Sequence, residues 1–350
     1  MFSIPRFARV LILLLFALAP VSTNAQSMPT LARFEDPAAM PQVIADLPFA
    51  AGRAYAILAM IPAPATVSLA EPNSLRRGVL AFLNPVATAR AGTQIGHAMV
   101  GWRCTDGTQG LVGKTSDDPD MGLQLLRGGW GMAALLSEYR FGRLVSVADI
   151  PEEHHRALRG PRVRITAFEI DEAGCQSMRR ALVSYLAHPG QPERRYTNQP
   201  DPARMQGDGC ASFALWLVGR AGVFDSARSS MHRSVVLRDS FMGQGEAVPE
   251  GVIPLRVGTP GHHVGLRDLL FGDWNAGTEV ARMTLLDPEL MLAALDRAYA
   301  RGGIARDSRL APGDPAAAPL RSAADGWLAR YGRVTPLRHG QARAVVLHRR

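Results

Sequence analysis

The sequence predicts an α+β fold, on three observations. "TQIGHAMVGWRCTDGTQGLVGKTS" (93–116) carries a strand, a turn signal and a second strand. "RVRITAFEID" (162–171) is strand-like and leads straight into a helical pattern. Apolar helical runs then open at Cys210 and after Asp287.

Taken in order, "MFSIPRFARVLILLLFALAPVSTNAQ" has the three parts of a secretory signal. Arg6 and Arg9 supply the positive region, Val10 to Ala19 the apolar core, and Thr23-Asn24-Ala25 the small residues for cleavage. An uncleaved anchor is the alternative, but the apolar core is short for a bilayer span. The expectation is a signal over 1–25 and an exported chain, periplasmic or secreted, with no later membrane-spanning segment.

Residues 26–90 mix short apolar runs with proline breaks and read as an irregular N-terminal extension. In the hairpin, Ile95 to Arg103 is one strand, Asp106-Gly107 the turn, and Gly110 to Lys114 the start of the next. "DEAGCQSMRRALVSYLAHP" repeats Met178, Leu182, Val183 and Leu186 at helical spacing, and Pro189 ends it. "DPELMLAALDRAYARGG" (287–303) is an amphipathic helix with Asp287 as cap and Pro288 in its first turn. "SRLAPGDPAAAPLRSAADG" reads as a linker. The domain reading is therefore 1–25 signal, 26–90 extension, 91–225 core, and 226–350 an α-rich extension or cap.

The net charge is +8, and Lys114 is the only lysine among 39 basic residues. The arginines are scattered, with no basic block interleaved with aromatics, which argues against a nucleic-acid partner. Of three cysteines, Cys104 and Cys175 could pair in an oxidising compartment and leave Cys210 over. Three reduced, buried cysteines are the alternative.

"QGDGCASFALWLVGRAGV" (206–223) sets Cys210 at the start of an apolar helix. A thiol there meets the positive end of the helix dipole and free N–H groups, which favour thiolate. The same position also suits a small core residue. The cap of this helix is Asp208 or Gly209, and Asp208 fits capping better than catalysis, because an anion beside the sulfur opposes its ionisation. A nucleophilic cysteine needs a base, normally histidine. His154 and His155 lie in a charged stretch, His188 at a helix end beside Pro189, and His262 and His263 in a glycine-rich loop. His97 differs, sitting inside a strand between Gly96 and Ala98. A metal site from His97, Cys210 and the His262-His263 pair would lack every tight ligand spacing. Neither a metal nor a cofactor is expected.

The strand "GHAMVGW", the interval "ITAFEIDEAGCQSMRRALVSYL" with Tyr196, and the helix "GDGCASFALWLVGRAGV" occur in a telling order. Over about 91–225 this resembles the circularly permuted papain-like cysteine hydrolases of the NlpC type, the group that includes the lecithin–retinol-acyltransferase-like proteins. The resemblance implies an antiparallel sheet packed on the nucleophile helix, with Cys210 as nucleophile and His97 as its base. The third, orienting residue would be Gln109 or Ser116, the length of the hairpin turn deciding between them. Gly209 stands where the family often has asparagine. The implied reaction is acyl transfer from an amide or ester, by a peptidase, amidase or acyl hydrolase. Peptide or peptidoglycan substrates rank slightly ahead of a lipid-derived acyl group. A catalytically inactive envelope protein using the same fold for binding is the other reading.

Overall fold

The structure, a computed structural model, describes residues 31–82, 84, 86, 88–89, 96–117, 120–198, 202–257, 262–306 and 309–350. The signal segment over 1–25 lies outside the described residues. The fold is α+β, as the sequence predicts.

Its frame is a seven-stranded mixed sheet. In chain order the strands are β1 (Ala54–Ile61), β2 (His97–Arg103), β3 (Gln109–Ser116), β4 (Gly142–Val145), β5 (Arg164–Ile170), β6 (Tyr331–His339) and β7 (Ala342–Arg349). In space they run β6-β7-β5-β1-β2-β3-β4. All neighbours are antiparallel except β7 and β5.

The expected irregular extension thus contains β1, a central strand of the sheet. Every residue of "AYAILAMI" is buried. A strand covered on both faces has no reason to alternate, so its run carries no period of two.

Five helices fix the two faces: α1 (Glu152–Leu158), α2 (Glu172–Leu186), α3 (Cys210–Gly219), α4 (Pro288–Arg301) and α5 (Ala317–Leu328). Ala98, Val100 and Trp102 of β2 point into the core shared with α2, α3, α4 and α5. Met99 points to the other face, into a core that includes Ala157 and Leu158 of α1. Asp171 caps α2 by accepting from the Gly174 amide at 2.7 Å, and Asp287 caps α4 by accepting from Glu289 at 2.9 Å.

Residues 226–350 share these cores, since β7 pairs with β5 and α4 packs on the same face as α3. The second half of the expected linker, from Ala317 on, is instead the start of α5, with Leu320, Ala324, Trp327 and Leu328 buried along that helix. Arg233 ties this region down, donating to Asp287 at 2.8 Å and to both oxygens of Asp314 at 3.0 and 2.9 Å. A third core, with Trp130, Phe241 and Trp274, lies under the two-stranded ribbon of 232–238 and 279–286.

Cys104 and Cys175 form a disulfide that joins the hairpin to α2. Among the described residues, no helix is long and apolar enough to cross a membrane.

Candidate active site

The site is built where α3 meets the end of β2. Gly209 caps the helix, its amide donating to the Ser212 hydroxyl at 3.0 Å. The Asp208 carboxylate, the other candidate cap, does not cap. It turns inward to the Lys114 ammonium, 2.5 Å away, and neither side chain is exposed to solvent.

Cys210 is the free cysteine. The amides of Ala98, Cys210 and Ala211 and the Tyr196 hydroxyl stand near its sulfur, where they favour the thiolate. Burial raises the thiol pKa, and these four donors oppose that rise. Tyr196 in turn is pushed well above its ordinary range by burial and by the sulfur beside it. A buried phenol of that kind donates and does not serve as a base.

His97 lines the same cavity as Cys210, but it is not among the groups that act most strongly on the sulfur. Side chains alternate along β2, so Ala98 faces α3 while His97 shares the opposite face with Met99. There its ring stacks on His154 of α1, centroids 4.3 Å apart and planes 15° from parallel. Its Nε2 lies over Gly113, where a Cβ would sit 2.9 Å away, and that nitrogen is buried with no hydrogen-bond partner. Burial, helped by His154, holds the His97 pKa down at about 3. His154, from the charged stretch, is only 8 % exposed.

The orienting candidates separate too. Cys104 donates to the Thr108 carbonyl at 2.8 Å, closing a three-residue turn with Gly107 at φ +88°. The expected two-residue turn is therefore lengthened by one, and Gln109 pairs with Arg103. Gln109 thus shares the face of His97 but sits at the far end of β2, about 20 Å away by strand rise. It cannot orient that imidazole. Ser116 lies on the Cys210 side and lines the adjoining cavity, its buried hydroxyl unpartnered. His263 packs over Gly129 and is not among the residues lining the cavity beside Cys210.

The cavity beside Cys210 measures about 400 Å³. Its walls are mostly aliphatic: Met60 and Ile61 from β1, Leu135 and Leu136 from one rim, Leu237 and Leu285 from the ribbon. Its polar lining residues include Cys210, Tyr196, Ser116, Ser212, His97 and Glu289. Such a space suits an aliphatic chain with one polar end.

Three residues at or beside the candidate site had no site role in the sequence reading. Tyr196 was only part of an interval, Lys114 only the sole lysine, and Asp208 only a cap. The solitary lysine among arginines was the one usable signal.

No protein-family model matches this chain, and no curated protein or solved structure matches it either.

Proposed function

We propose that this is an exported protein that binds an aliphatic, acyl-type ligand in the cavity, with the ligand's polar end at Cys210 and Tyr196, and that it does so without turning it over. One observation carries the reading: the cavity beside the sulfur is apolar, while the β2 position facing that sulfur is Ala98. Acyl transfer from an amide needs a group that takes the thiol proton and returns it to the leaving nitrogen. Neither Tyr196 nor the ion-paired Asp208 supplies it. The order of the histidine strand, hairpin, strand–helix pair and Cys210 helix supports a permuted papain-like frame put to binding. The Cys104–Cys175 bond supports export to an oxidising compartment.

The test is calorimetric titration of residues 26–350 with dodecanoate, beside a turnover assay on 4-nitrophenyl dodecanoate. Saturable binding with a negative heat-capacity change, weakened by Ala63→Trp in the cavity wall, supports the proposal. Absence of binding overturns it.

A cysteine acyl hydrolase or acyltransferase is the second reading, favoured by the donors around the sulfur. Amides of Cys210 and Ala98 near an attacking thiolate are what a developing oxyanion requires. Sustained ester turnover abolished by Cys210→Ala would select this reading.

A further inference from the structure

Lys114 is the single lysine of a chain whose other basic residues are all arginine, and it has no solvent exposure. Its ammonium has three donors and meets three acceptors. These are the Asp208 carboxylate at 2.5 Å, the Tyr185 hydroxyl at 2.5 Å and the Pro192 carbonyl at 2.7 Å. Tyr185 closes the group by donating to Asp208 at 3.0 Å. A compact ammonium fits this arrangement; a planar guanidinium would not.

The acceptors join separate parts of the site. Lys114 stands on β3, Tyr185 on α2, and Asp208 two residues before Cys210. The Asp208 backbone pairs with the segment carrying Tyr196: its amide donates to the Arg195 carbonyl at 3.3 Å, and its carbonyl accepts from Thr197 at 3.2 Å. One residue therefore carries the ion pair, leads into the sulfur, and braces the strand that brings the Tyr196 hydroxyl to that sulfur.

We infer that Lys114 is a positioning residue, which through Asp208 sets the contact between the Tyr196 hydroxyl and the Cys210 sulfur. This rests on the reading of Cys210 and Tyr196 as the polar end of the ligand site. Its test does not need the ligand. A buried ion pair that served stability alone would brace the core and leave that contact unchanged when replaced by a neutral pair of similar size.

The experiment is a double-mutant cycle read by iodoacetamide alkylation of Cys210 across pH, the disulfide leaving it as the one free thiol. Tyr196→Phe is made in the wild type and in Lys114→Met/Asp208→Asn, with folding checked by circular dichroism. In the wild type, loss of the hydroxyl is expected to slow alkylation below the thiol pKa by about fivefold, the worth of one hydrogen bond. In the background without the ion pair the same substitution is expected to change it less than twofold. An equal effect in both folded backgrounds overturns the inference, as does no effect in the wild type. Should the double variant fail to fold, Asp208→Asn alone replaces it, and an undiminished Tyr196→Phe effect there overturns the inference equally. Coupling without dodecanoate binding would keep the inference and remove the ligand reading.

Discussion

The imidazoles of His97 and His154 stack face to face on the side of the sheet that carries Met99. Both pKa values are lowered, chiefly by burial, and that of His97 lies at about 3. Between about 3 and the ordinary 6.5 the unfolded chain binds a proton at His97 that the folded chain refuses. Stability therefore rises with pH through this window and is lost as pH falls below 6.5, by up to about 1.4 kcal/mol per unit. His97→Leu is expected to flatten that loss, measured as urea midpoints at pH 7, 5.5 and 4.5. An equally steep decline in the variant would refute the assignment.

The same alternation makes a constructive prediction. Ala98 faces the sulfur and borders the cavity, so Ala98→His combined with His97→Ala carries the imidazole across the sheet. Alkylation of Cys210 at pH 7 is expected to rise about tenfold or more, through proton transfer to the new base. Unchanged kinetics in a folded variant would mean that position 98 cannot activate the thiol.

How much of this was legible in the sequence varies with the kind of signal. Asp287-Pro288 announced its helix, because capping chemistry is local. Met178 and Leu182 likewise marked the buried side of α2. β1 was invisible, being apolar on both faces, and α5 hid behind prolines and alanines that resemble a linker. The site turned on one residue of strand phase. Gly96-His97-Ala98 reads equally well with either side chain toward α3, and only the packing of α1 and the partner strands decides. Lys114 and Asp208 lie far apart in sequence, so no local pattern could pair them.

Removing the disulfide gives a third prediction. Cys104 and Cys175 are 71 residues apart, and closing a loop of that length stabilises by about 4 kcal/mol in the chain-entropy model. Cys104→Ala/Cys175→Ala is expected to lower the urea midpoint accordingly. A change below about 1 kcal/mol would show that the unfolded chain already holds these segments together.

Arg233 supplies a fourth. It is 9 % exposed and bonds Asp287 and Asp314 together. Arg233→Met strands two carboxylates and is expected to cost about 3–5 kcal/mol. Arg233→Met/Asp314→Asn should recover part of that. Thermal denaturation of both variants decides, and a single variant as stable as the wild type would contradict the clamp.

The burial of Lys114 has a further consequence. The folded protein offers amine-directed reagents no side-chain target, since its one ε-amino group is fully buried against Tyr185, Pro192 and Asp208. Acylation of that amine in solution therefore waits on an opening of the region around Cys210. Its rate is a clock for that opening, written at a single position and readable by mass spectrometry without any introduced label.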